Sequence, residues 1–299
     1  MPRTLVMGIL NVTEDSFSDG GEWNSTERAL AHAHEMVDAG ADIIDIGGES
    51  TRPGATRVDP DVERDRVVPV IAALHADGIT TSVDTMRAST AESAVAAGVD
   101  IVNDLSGGLA DPGMYRVVAD ANRTRPAGQP VDYCLMHWRA DRFASAEGRA
   151  DHGGDVVADV SGLLGELTEA ALAAGVPADR LILDPGIGFA KDDADDNWAL
   201  LHAMPDYTAN WAEQGYRTLI GASRKRFLTA LRPGPDGGPG TPESADDATA
   251  AVSALAAQAG VWAVRVHDVA ATRAAVDVAH AVAQAHGPAL PEGWRARRG

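Results

Sequence analysis

Leu181-Ile182-Leu183-Asp184-Pro185-Gly186-Ile187-Gly188-Phe189-Ala190-Lys191 joins an apolar run, a stop and a polar turn in one short segment. Its first three residues read as a short buried strand. The strand ends on a carboxylate, Pro185 and Gly186 stop it, and a glycine-bearing turn leads to a lysine. A carboxylate where a buried strand meets a turn is costly unless something meets it. That partner is either a structural arginine or a ligand with two parallel N–H donors. The pattern of an apolar run ending on a polar residue recurs along the whole chain.

Apolar runs at Leu5–Val12, Asp42–Ile46, Ile79–Asp84, Asp100–Asp104, Tyr133–His137, Leu181–Asp184, Thr218–Gly221 and Ala263–His267 are predicted strands. Each is followed by an amphipathic run. The predicted helices are Ser25–Ala39, Pro60–Ala76, Ser89–Ala97, Pro112–Ala121, Gly154–Ala174, Asp195–Glu213, Ser244–Gln258 and Ala270–Ala285. Asp111-Pro112 supplies a cap before a proline. Eight alternating pairs spell a single-domain α/β (β/α)8 TIM barrel over residues 1–287, with a tail at 288–299. A doubly wound open sheet is the competing layout. Eight units and no Gly-x-Gly-x-x-Gly after the first strand weigh against it. Two connections look long, Asn122–Pro130 and the Gly/Pro-rich Pro233–Pro242, the second either a lid or a passive insertion.

The formal charge of −19 argues against nucleic acid as a partner. No run of 18 apolar residues points to a membrane span, and the first residues lack a signal-peptide pattern. A single cysteine, Cys134, fits a reducing, cytoplasmic setting. Of 25 basic residues only Lys191 and Lys225 are lysines, and both follow apolar runs in glycine-bearing turns. A lysine presents a compact ammonium where a planar guanidinium would not fit.

Chemistry in such barrels sits where strands lead into helices. Those ends carry Asn11, Asp45, Asp84, Asn103-Asp104, His137, Asp184, Ser223-Arg224-Lys225, and Arg265 with His267. One such residue is more often a structural hydrogen bond than a ligand contact. Polar groups on all eight strands are hard to explain by packing alone. Asp45, Asp84, Asn103 and Asp184 form an acceptor-rich set suited to a flat heterocycle bearing ring N–H and amino donors. A hard metal ion is the rival, although no His-x-x-x-His, Cys cluster or EF-hand spacing is present. Arg52, Arg224, Lys225, Arg265 and His267 form the opposite, anion-seeking set. In Arg265-Val266-His267, strand alternation puts both polar side chains on one face. The polar, glycine-rich segments Asn11–Gly21 and Gly47–Gly54 have the character of loops that close over a substrate.

Together, Asn11–Gly21, Asp45–Gly54, Ser82-Val83-Asp84-Thr85, Val102-Asn103-Asp104, Leu183–Lys191, Gly221–Arg226 and Arg265–Val269 resemble the dihydropteroate synthases. These belong to a wider group of pterin-binding barrels that also contains methyltransferases. The likeness runs in order from about residue 5 to about residue 270. It implies an enzyme of folate biosynthesis that joins a dihydropterin diphosphate to p-aminobenzoate with loss of diphosphate, by loose displacement at the pterin methylene. It also implies that Asp84, Asn103, Asp184 and Lys225 hold the pterin. Asn11, Arg265 and His267 would hold the diphosphate, with Mg2+ at or near Asn11, and Asp45 would support the site. Phe17, Thr51, Arg52, Pro53 and Arg226 would build the p-aminobenzoate pocket, which sulfonamides should share. Asp84, Asp184, Lys225, Arg265 and His267 are the residues expected to carry catalysis, in a homodimer. Glu14 stands where many members have proline, and Arg226 where serine is common. Two alternatives are a pterin-binding methyltransferase and a non-catalytic ligand-binding paralogue. A barrel isomerase or aldolase would need a different acid/base residue or a Schiff-base lysine.

Overall fold

A computed structural model describes residues 2–13, 21–49, 57–139, 150–235, 237–238 and 240–289, without the side chains of 21–25. Eight parallel strands close into a barrel in chain order: β1 (Leu5–Asn11), β2 (Ile43–Gly47), β3 (Thr81–Asp84), β4 (Ile101–Asp104), β5 (Asp132–Met136), β6 (Leu181–Asp184), β7 (Arg217–Ile220) and β8 (Ala263–Val266). β1 pairs with both β2 and β8, so no strand edge is left open. The helices on the outside are α1 (Gly21–Asp38), α2 (Pro60–Ala76), α3 (Ala88–Ala96), α4 (Met114–Thr124), α5 (Val156–Ala173), α6 (Ala194–His202), α7 (Met204–Glu213), α8 (Arg226–Thr229), α9 (Asp246–Gln258) and α10 (Val269–Gln284). None of the described helices is long and apolar enough to cross a membrane.

Strand periodicity sorts the core into two parts. Met7, Ile43, Ile101, Cys134, Ile182, Leu219 and Ala263 form a buried cluster of their own, the plug of the barrel interior. Their strand neighbours point the other way and pack against the helices, as Ile44, Val102, Leu135, Leu183 and Val264 do. Two residues beyond the plug, the same inward face carries Ile9, Asp45, Asn103, Met136, Asp184, Gly221 and Arg265. The polar layer is therefore a geometric consequence of the apolar one: the same parity, one step nearer the C-terminal mouth.

The predicted barrel is the observed one, and β6 begins and ends where it was read. Differences have local causes. The helix predicted over Asp195–Glu213 is two, because Pro205 enters the first turn of α7 and lacks the N–H that would continue α6. The helix expected from Pro112 starts at Met114. Asp111 uses one carboxylate oxygen on the Gly113 N–H and the other on the Ala88 N–H at the start of α3. The first helix begins at Gly21, ahead of Ser25. The four-residue helix α8, directly after Lys225, was not foreseen. The connection after α4 is shorter than expected, and Asn122 spans it with hydrogen bonds to the Val131 backbone. Within Pro233–Pro242, Gly234 and Gly238 close a turn on each other.

Candidate active site

Arg265 is the centre of the polar layer. Its Nε donates to Asp45 Oδ2 at 2.6 Å and a terminal nitrogen donates to Asp84 Oδ2 at 2.7 Å. Asp45, fully buried, also accepts from Asn103 Nδ2 at 3.3 Å. Asn103 lies beside Asp84 in the β3–β4 register. Asp184 joins the group across Gly221. A Cβ on that glycine would sit 3.8 Å from Asp184 Oδ2 and 3.9 Å from Arg265 Cβ. Asn11 joins it across Gly47, where a Cβ would lie 3.7 Å from Asn11 Oδ1 and 3.9 Å from Asp84 Oδ2. Both glycines keep the mouth open where a side chain would intrude.

Asp184 turns one oxygen to the Gly186 N–H at 2.8 Å. Gly186 has φ +67°, and a Cβ there would meet the His137 carbonyl oxygen at 2.0 Å, so only glycine fits the turn. Burial pushes the Asp184 carboxyl up to about 6, against the pull of that N–H, Lys225 and Arg265. Burial raises Asp84 as well, with Arg265 opposing. Burial brings Lys225 down to about 8, and Arg265 lowers it further while Asp184 and Asp84 resist. The Lys225 ammonium stands 3.8 Å from the centre of the Phe189 ring, a cation–π contact. Burial works against the Arg265 charge, but Asp45 and Asp84 outweigh it and hold the guanidinium firmly protonated.

One atom shows what this layer is shaped for. Asn103 Oδ1 is buried and has no hydrogen-bond partner among the described residues. The amide cannot simply be turned over, because the carboxylate of Asp45 can only accept and needs Nδ2 facing it. A buried acceptor without a donor costs about 1–3 kcal/mol, a cost that a ligand N–H would remove.

Residues 7–267 match the model of a family described as pterin binding enzyme. The dihydropteroate synthase of Mycobacterium leprae is 50% identical over 274 residues, covering 91% of this chain and 90% of that one. The chain belongs to the dihydropteroate synthases. Two solved structures of the Xanthomonas albilineans synthase superpose on it. The one with 4-aminobenzoic acid has TM-score 0.80 and 42% identity, covering 97% of this chain and 94% of that one. The one in complex with 7,8-dihydropteroate has TM-score 0.77 and 39% identity, covering 97% and 95%. The methyltransferase and non-catalytic readings are thereby set aside in favour of the synthase.

The structure gathers Asn11, Asp45, Asp84, Asn103, Asp184, Lys225 and Arg265 around one mouth in this synthase. His267 stands next to them, its Nδ1 3.0 Å from Ser223 Oγ, which also accepts from the His267 backbone N–H. Arg226 is exposed at the start of α8. Phe17, Thr51, Arg52 and Pro53, with Glu14, lie outside the described residues. Three polar strand-end residues do not belong to the site. Arg224 is fixed by two 2.8 Å bonds to Asp246 at the start of α9. Asp104 faces outward and caps its own turn through Ser106, Gly108 and Tyr133. His137 also faces outward, toward Asp159 and Lys191.

Other members of the site escaped the sequence. Phe189 was read only as part of a motif, yet it seats Lys225. Arg87 donates to Glu49 and to the Val58 carbonyl, and pairs with buried Glu63, which also accepts from Thr85 and Thr90. One guanidinium thus holds the two flanks of residues 50–56. No motif marks Arg87; its position just after β3 is the one available signal.

Proposed function

We infer that this chain condenses 6-hydroxymethyl-7,8-dihydropterin diphosphate with p-aminobenzoate, giving 7,8-dihydropteroate, diphosphate and a proton. The unpartnered Asn103 oxygen, in the same inward layer as Asp184, carries the reading, because it asks for a ligand N–H donor next to the acceptors that the layer already holds. In this assignment Asp184 accepts from the pterin ring N–H and amino group, Asn103 Oδ1 takes a further donor, and Lys225 faces the carbonyl side. Asp84 lines the pocket, and Asp45 keeps Arg265 and Asn103 in place.

Arg265 and His267 face the departing diphosphate. The electron-rich pterin spreads positive charge from the methylene as the C–O bond breaks, and the weakly basic aryl amine then attacks and sheds a proton. No protein nucleophile is needed, so the residues act by positioning and by charge. Three carboxylates face two cations in this layer, which leaves room for added positive charge when a diphosphate arrives. Asn11 Oδ1, a hard oxygen near Asp84, fits a Mg2+ ion that takes its other ligands from phosphate and water. Such an ion would neutralise charge on the leaving group.

Phe17, Thr51, Arg52, Pro53 and Arg226 are assigned to p-aminobenzoate, with which sulfonamides compete. A homodimer is part of the same proposal, supported by exposed Leu255, Val278 and Val282 on the paired helices α9 and α10. The buried free thiol of Cys134 suits a cytoplasmic setting.

Purified protein given the pterin diphosphate, p-aminobenzoate and Mg2+ should release dihydropteroate and diphosphate in equal amounts. Absence of product would overturn the assignment. Pterin affinity should also be highest between pH about 6 and about 8. Below that window Asp184 takes a proton and loses an acceptor; above it Lys225 loses its charge. Calorimetric titration of the pterin across pH checks both limbs.

A further inference from the structure

Lys191 is buried, and all three N–H groups of its ammonium are used. Nζ stands 2.9 Å from the Gly186 carbonyl, 3.1 Å from the Phe189 carbonyl and 3.1 Å from His137 Nδ1. Because His137 Nδ1 accepts, its ring proton sits on Nε2 and donates to Asp159 Oδ2 at 3.2 Å. Asp159, in the first turn of α5, is clamped on Oδ1 by Arg139 at 2.6 Å, and its Oδ2 faces His152 Nδ1 at 2.8 Å. His152 Nε2 lies 3.3 Å from the Ala190 carbonyl. From the other side, Asn197 of α6 accepts from the Gly188 N–H and donates to the Lys191 carbonyl. The turn from Gly186 to Lys191 is therefore tied to both α5 and α6.

His137, His152 and Asp159 stand close enough together to hold a metal ion. The surrounding charge argues against one. The sole carboxylate already faces Arg139, and the His137 lone pair already points at an ammonium, so a divalent cation would add to an existing excess of positive charge. The cluster is better explained by what it fixes. Gly186 is gripped at its N–H by Asp184 and at its carbonyl by Lys191. Phe189 is gripped at its carbonyl by Lys191, and its ring seats the Lys225 ammonium. Each of these two links leads to a residue assigned to the pterin.

We propose that Lys191, held by His137 and Asp159, is a positioning residue of the pterin pocket, setting the placement of Asp184 and Lys225 without touching substrate. Because this rests on the pterin assignment above, wild-type turnover is the first control. Lys191→Met keeps an unbranched side chain one atom shorter and removes its donors. It should raise the KM for the pterin diphosphate about 10- to 100-fold, the scale on which remote misplacement acts, with the KM for p-aminobenzoate little changed. His137→Leu should shift the pterin KM in the same direction, while His137→Asn, whose amide oxygen can replace Nδ1 as acceptor for the ammonium, should restore it. The His137 pair decides the matter if Lys191→Met does not fold. An active wild type whose pterin KM is unmoved by these changes, or moved equally with that of p-aminobenzoate, overturns the role of Lys191. An inactive wild type overturns the functional reading beneath it.

Discussion

Arg265→Ala is expected to destabilise the protein by about 3–5 kcal/mol, the usual cost of leaving buried charge unpaired. The guanidinium neutralises Asp45, which has no exposed surface, and Asp84, at 2.6 and 2.7 Å. Removing it leaves two carboxylates on neighbouring strands without their shared cation. Melting temperature should fall on the order of 10 °C. The sign of the pH dependence follows from Asp84, whose folded pKa already lies above its unfolded value and would rise further. Its favourable contribution is present at low pH and lost as pH rises, so the gap from wild type should widen between pH 5 and pH 8. Thermal melts at both pH values check this. Affinity for the pterin diphosphate should also fall more than affinity for the free pterin alcohol, because only the ester presents an anion to the missing cation. A melting curve like that of the wild type would mean that the two carboxylates have other partners.

The barrel was legible because its signal is redundant: each strand is a short apolar run, and the helices between them carry their own stops. The site was legible to the extent that strand parity could be fixed. Asn103 and Asp104 are adjacent in sequence, yet only Asn103 shares the inward face with the plug residue Ile101. His137 is ruled out by the same count, one step from inward Met136. Arg224 and Arg265 look alike as strand-end arginines. What separates them is Asp246, whose approach to Arg224 depends on how α9 packs. Lys191 was hidden for another reason. Its side chain folds back on its own turn to reach His137, and neither spacing nor composition encodes that path.

Asp184→Asn should separate binding from stability. The variant amide can still accept from the Gly186 N–H through its oxygen, which leaves its NH2 where Asp184 Oδ2 stood, facing the pterin donors. An acceptor becomes a donor and the charge is lost. Pterin affinity should fall by about 1–3 kcal/mol, or ~5- to 150-fold in Kd by calorimetry. Stability should move the other way. Burial lifts the Asp184 carboxyl to about 6, above its unfolded value, so ionised Asp184 weakens the wild-type fold by about 3 kcal/mol at neutral pH. That penalty is absent below the unfolded pKa and complete above about 6. The attraction of Lys225, Arg265 and Lys191 for the carboxylate is already contained in that value. The variant should therefore melt no lower than the wild type at pH 8, with no comparable benefit at pH 4. Unchanged pterin affinity would remove Asp184 from the binding role, and a large loss of stability at pH 8 would show that the carboxylate is held as a structural ion pair. The expected pattern, weaker binding in a fold at least as stable, is that of a buried charge kept for its ligand at the expense of the scaffold.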